Sequence, residues 1–209
     1  MSDHGFEGAN LIFRTMRRAA IASGPTIVAG SLIAGNVGLL IRHGFHPNLE
    51  TVVGLLWIAS DYALRQKPRH PVAAPRLNAA GVILGSILLS ASGIHAHSID
   101  WYRVRTPLGY IPAVAIIGLQ KELREAGATL SSSPRLLRRL LSGILAHPYT
   151  AAAVVNGYGV LELARSAQGA HDKGLLGISI AYALATLALP LLDFDNEPLP
   201  VSLPARVSL

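Results

Sequence analysis

Four stretches of this chain run without a charged residue for about the thickness of a bilayer. Ala19–Ile41 is uncharged for 23 residues, Leu77–Ile94 for 18, Ile144–Leu161 for 18 and Gly174–Leu192 for 19. A helix needs about 17–25 apolar residues to cross the hydrocarbon core. Two shorter stretches join them. Thr51–Leu64 is broken only by Asp61, and Pro107–Leu119 extends backward through Trp101. In this company both read as spans. The expected fold is all-α: a polytopic membrane bundle of six transmembrane helices over residues 19–192. A basic N-tail (1–18) precedes it and an extended polar C-tail (193–209), rich in proline, follows.

Composition agrees with that reading. Charged residues make up 14% of the chain, against about 25% in an average soluble domain. The deficit is what confinement of charge to the ends of spans would produce. There is no cysteine, which excludes disulfides and thiolate metal sites. The pI of about 10.1 does not point to nucleic acid, because the basic residues flank apolar runs, as in membrane proteins.

Lys and Arg also set an expected orientation. With six spans and the N-terminus inside, the inner segments hold 13 of the 18 basic residues and the outer loops hold 5. That asymmetry puts both termini in the cytoplasm and suits a bacterial inner membrane. Residues 120–143 form a long arginine-rich inner loop on this reading.

A repeat is visible. GLLWIASDYAL (54–64) and GLLGISIAYAL (174–184) share seven of eleven positions at an offset of 120, which also superposes Asn36 on Asn156. A weaker echo at an offset of 55 sets Gly30, Ser31, Gly38 and Gly54 on Gly85, Ser86, Gly93 and Gly109. Three helical-hairpin repeats would account for both. Small residues four apart (Gly30, Ala34 and Gly38; Gly81 and Gly85; Ala153 and Gly157; Gly177, Ala181 and Ala185) would let helix backbones approach closely in lipid.

Polar residues inside apolar runs are the candidate functional groups. Asn36 and Asn156, with Ser60, would line a transport path or bond between helices. Asp61, four residues before Arg65, is expected to form an interfacial i,i+4 ion pair, and Glu162 a similar pair with Arg165. Five histidines (His43, His46, His95, His97 and His171) fall in the expected outer loops, beside Glu50, Asp100 and Asp172. Imidazoles with carboxylates can bind a metal or respond to pH, although these spacings match no compact ligand motif. Ser92 and His147 would sit at opposite faces of the membrane, too far apart for a catalytic pair.

No phosphate loop, metalloprotease helix or dinucleotide fingerprint occurs, so no cofactor and no enzymatic activity are expected. Two functions remain. One is a small-solute or ion permease or channel built from helical hairpins. The other is a non-catalytic accessory or scaffold subunit of a larger membrane complex. The expected partners are the lipid bilayer and either further copies of the chain or other membrane subunits, with no nucleic acid.

Overall fold

The computed structural model describes residues 4–92, 94–95, 98–99, 101–131 and 136–196. Among these residues the chain forms eight α-helices: α1 (His4–His43), α2 (Leu49–Leu64), α3 (Ala73–Ser92), α4 (Trp101–Gly118), α5 (Gln120–Ser131), α6 (Leu136–Ala146), α7 (Pro148–Gly169) and α8 (Lys173–Ala188). A 3-10 segment, Leu189–Asn196, continues α8. Two short strands, β1 (Ile94–His95) and β2 (Ser98–Ile99), pair antiparallel between α3 and α4, with Ile94 opposite Ile99.

Local chemistry explains the element ends. Gly44 closes α1 with φ +72°, a left-handed conformation that glycine adopts without strain. A Cβ there would also press on the His46 ring. Asn48 caps α2, its side chain accepting from Thr51 N at 3.0 Å, and Glu50 in the first turn complements the helix dipole. The α2–α3 turn carries Pro68 and Pro71, which cannot continue a helix ladder. Pro148 opens α7 at the position where its missing N–H costs least. Asp172 caps α8 by accepting from Leu175 N at 2.9 Å.

Six helices form a closed ring. α1 packs on α2, α2 on α3, α3 on α4, α4 on α7, α7 on α8, and α8 returns to α1. The expected inner loop is instead an amphipathic pair, α5 and α6, packed on each other and touching α7 from outside the ring. Val28, Leu64, Ile117, Tyr149 and Leu192 build the main apolar core near one end of the ring. A second cluster joins Val160, Leu175, Ile178 and Tyr182. The outside is apolar as well: Ile27, Val52, Leu55, Ile87, Val154, Leu161, Ile180 and Leu187 are all exposed.

The number of spans is a correction to the sequence reading. Among the described residues three helical stretches, not six, are long and apolar enough to cross a membrane by length and composition: Arg14–His43, Ala73–Ser92 and Lys173–Phe194. α2 is short, at 16 residues. α4 begins with two arginines, Arg103 and Arg105, in its first five residues. α7 is long enough but carries Asn156, Glu162 and Arg165. The ends of the bundle differ too. Helix α1 starts at His4, well before the apolar run. At the other end residues 193–196 belong to the 3-10 segment rather than to an extended tail. The remainder of the expected tail, 197–209, lies outside the described residues.

Close packing follows only part of the small-residue pattern. Gly81 and Gly85 face α2, where a Cβ would collide with Ser60 and Trp57. Gly38 meets Ile178 of α8, and Gly118 meets Ala79 of α3. By contrast, nothing approaches the Cβ positions of Gly30, Gly157 or Gly177 within 4 Å.

Burial does not follow the visible sequence identity. Tyr62 and Tyr182 match in sequence, yet Tyr62 is 51% exposed and Tyr182 8%. The burial patterns of α2 and α8 coincide at an offset of 125, which pairs Val53 with Ile178, Gly54 with Ser179, Asp61 with Thr186 and Leu64 with Leu189. Those of α1 and α3 coincide at 50, pairing Pro25 with Pro75, Ala29 with Ala79, Gly35 with Gly85 and Asn36 with Ser86.

Candidate functional site

The ring encloses a narrow cavity of about 80 Å³, and each of the six helices sends a polar side chain to its wall: Asn36 from α1, Asp61 from α2, Asn78 and Ser86 from α3, Tyr110 from α4, Asn156 from α7, and Tyr182 with Thr186 from α8. Asn78 and Ser86 are eight residues apart, roughly 12 Å along a helix axis. The cavity is therefore elongated along the bundle.

Hydrogen bonds tie the wall together. Asn36 Nδ2 donates to Asp61 Oδ2 at 2.7 Å, and Asn78 Nδ2 donates to Asp61 Oδ1 at 2.9 Å. The Tyr182 hydroxyl donates to Asn36 Oδ1 at 2.7 Å. This chain crosses from α3 through α2 and α1 to α8. Beside it, Asn156 Nδ2 donates to Thr186 Oγ1, and Thr186 Oγ1 donates to Tyr182 O, each at 2.8 Å. Trp57 Nε1 donates to Val82 O at 3.2 Å, fixing the indole against α3. Ser86 Oγ, fully buried, has no hydrogen-bond partner.

Asp61 is the largest departure from the sequence reading. It is 3% exposed and bonded to two amides, whereas the expected partner Arg65 lies at the surface, 5.5 Å from the Tyr62 ring centroid. The reason is angular. Asp61 occupies the buried face of α2, where Asn36 and Asn78 converge, and spacing to Arg65 cannot reveal those two. Glu162 does pair with Arg165, at 2.8 Å on the surface.

Of the other expected path residues, Asn36 and Asn156 line the cavity and Ser60 does not. The Ser60 hydroxyl donates to Leu56 O of its own helix at 2.6 Å. Asn78, Ser86, Tyr110, Tyr182 and Thr186 were not expected from sequence to line a path. Asn78 had a usable signal, being an amide at the edge of an apolar run. The hydroxyl residues had none, since such residues are common in membrane helices.

A second polar cluster ties one end of the ring. Asp193 accepts from Thr150 N and Thr150 Oγ1 at 2.8 Å each and from Tyr149 N at 3.3 Å, so it caps α7 from a distant segment. Arg124 Nη2 donates to Asp193 at 2.8 Å, and Arg124 Nη1 donates to Gln120 at 2.9 Å. Lys67, 1% exposed, donates to Leu192 O at 2.8 Å and lies 4.9 Å from the Tyr149 ring centroid. Arg17 donates to Phe194 O. Helices α1, α5 and α7 and the α2–α3 turn thus all meet the C-terminal 3-10 segment.

The histidines stand apart from both clusters. His43, His46 and His171 are exposed, His95 is in β1, and His97 lies outside the described residues. Among the described residues no three of His, Cys, Asp or Glu gather into a metal-binding group. Asp172, near His171, pairs with Arg42. The Leu175 backbone N–H, with help from Arg42, holds its carboxyl below the ordinary value of 3.8.

No protein-family model, curated protein or solved structure matches this chain, so its function must be read from the ring and its cavity.

Proposed function

We propose that the protein is an integral membrane permease or channel for a small solute or ion, with all six ring helices crossing the bilayer. One observation carries the reading: each helix of a closed ring contributes a polar side chain to a common axial cavity, while the outside of the ring is apolar. In lipid, polar side chains turn toward the bundle interior and apolar ones toward the acyl chains. Asn36, Asn78 and Asn156 would then line the path with Asp61.

The three less apolar helices fit this arrangement. α2 rises about 24 Å, short of the ~30 Å core, and the hydrogen-bonded turn after it extends the ladder toward the interface. Local thinning absorbs such a mismatch at modest cost. α4 and α7 keep their charges near one end, where long side chains can reach the headgroups. The excess of basic residues in the segments 1–18, 65–76 and 120–143 supports a reading in which both termini and the α5–α6 pair lie on the cytoplasmic side of an inner membrane.

The test is flux. Proteoliposomes should shrink or swell faster than empty liposomes under gradients of one or more members of a panel of small neutral solutes and alkali salts. Asn156→Ala should alter that rate. Permeability equal to that of empty liposomes across the whole panel would sink the reading.

A second reading, a subunit of a larger membrane complex, draws on a different feature. A broad groove of about 870 Å³ runs beside the C-terminal 3-10 segment, lined by Ile144, Val154, Val155, Pro190 and Phe194. Co-purification of a stoichiometric membrane partner that is lost with Val154→Glu would favour it.

A further inference from the structure

We infer, resting on the permease reading above, that the axial cavity takes a small monovalent alkali cation at the Asp61 carboxylate. Asp61 is enclosed by the ring, and each of its oxygens accepts an amide N–H. An ionised carboxylate can accept at both oxygens in this way. Its charge has no counter-charge among the described residues. Arg65 lies over Tyr62, and Lys67 is engaged with Leu192 O and the Tyr149 ring. An ionised group in a low-dielectric interior needs a positive partner or takes up a proton instead. Asp61 meets none on the protein side.

The wall supplies what a hard cation needs. Asn78 and Asn156, whose amide nitrogens donate to Asp61 and Thr186, each also carry an Oδ1 that can accept. Ser86 Oγ is buried, partnerless and on the same wall. Neutral oxygens around one carboxylate suit a hard cation. A single carboxylate matches a single charge, and no second acidic residue lines the cavity. The volume of about 80 Å³ exceeds the ~10–15 Å³ that holds one water. It leaves room for an ion with a few waters and is small for a metabolite. Ser86, roughly 12 Å from Asn78 along α3, would be a further stop on the same axis.

The experiment uses the purified full chain in nanodiscs and in proteoliposomes. Thermal unfolding is followed in lithium, sodium, potassium and choline chloride at one ionic strength, for wild type and Asp61→Asn. The expected result is a Tm several degrees higher in sodium than in choline, graded among the alkali ions, with the difference absent in Asp61→Asn. Should that variant fail to fold, the alkali series on wild type still decides, because screening at fixed ionic strength does not rank alkali cations against one another. A wild-type Tm that ignores the cation would overturn the inference, and one that moved with pH instead would place a proton on Asp61. A sodium-sensitive dye trapped in the proteoliposomes separates the two readings. Sodium-dependent Tm with dye response supports both. Sodium-dependent Tm without dye response keeps the cation site and overturns the path. Flux of another solute with no cation-dependent Tm keeps the path and overturns the cation site.

Discussion

Asn36 joins three helices with one amide: its Nδ2 donates to Asp61 of α2 and its Oδ1 accepts from the Tyr182 hydroxyl of α8, both at 2.7 Å. Removing that amide leaves a buried carboxylate oxygen and a buried hydroxyl short of a partner. Asn36→Ala should therefore destabilise the fold by about 1–3 kcal/mol. Tyr182→Phe removes a single interhelical bond and should cost about 0.6–2 kcal/mol. Because the two residues share one bond, the double variant should lose less than the sum. Unfolding in mixed micelles with rising detergent denaturant would measure all three, and additive losses would refute the bridge.

Asp193 should matter more than any cavity residue for stability. It caps α7 and neutralises Arg124, with side-chain exposures of 6% and 17%. Deleting one member of a largely buried pair strands the other charge, at a cost of about 3–5 kcal/mol. Asp193→Ala is expected to lose that much. Asp193→Asn should lose less, since its amide oxygen can still accept from Thr150 N. The same unfolding assay gives the order, and equal losses would mean that the cap contributes little.

Two glycines should respond in opposite directions to the same change. A Cβ at Gly85 would meet Trp57 and Val53 of α2, while one at Gly177 meets nothing within 4 Å. Gly85→Ala should destabilise by about 1–3 kcal/mol through overpacking and disturb the Trp57 bond to Val82. Gly177→Ala should be neutral or gain up to ~1 kcal/mol from helix propensity. Tryptophan fluorescence together with Tm would register both.

The absence of cysteine makes topology directly measurable. His46 and Arg69 are exposed and flank opposite ends of α2. Single His46→Cys and Arg69→Cys variants in sealed vesicles should label with a membrane-impermeant maleimide from opposite sides. Labelling of both from the same side would show that α2 does not cross.

Much of the architecture was legible because apolar runs are a local property. The three helices apolar enough to cross a membrane all lie on uncharged runs read from sequence. The α5–α6 pair was hidden: charged residues interrupt its apolar positions, so a count of uncharged residues reads it as loop. Asn36 and Asn156 were recognisable as amides in apolar surroundings. Asp61 was not placed correctly, because Arg65 is near in sequence while Asn36 and Asn78 are near only after the ring closes. The eleven-residue identity misleads for a related reason. In an alphabet dominated by Leu, Ala and Gly, matches arise easily, whereas the buried face is set by neighbours. The burial registers of 50 and 125 residues carry that information.

Closure of the ring by α1 and α8 joins the first and last α-helices among the described residues, and the Asn36–Tyr182 bond spans 146 residues. A ribosome delivers those two partners far apart in time. Until α8 emerges, Asn36 Oδ1 lacks its Tyr182 donor, and the nascent bundle is an open arc with its polar edge unsheltered. The 3-10 segment that follows α8 then brings Asp193, which fastens α7 and α5. Biogenesis of this protein is thus expected to be all-or-none with respect to its C-terminal hairpin, and truncations within it should leave a chain that membrane quality control removes.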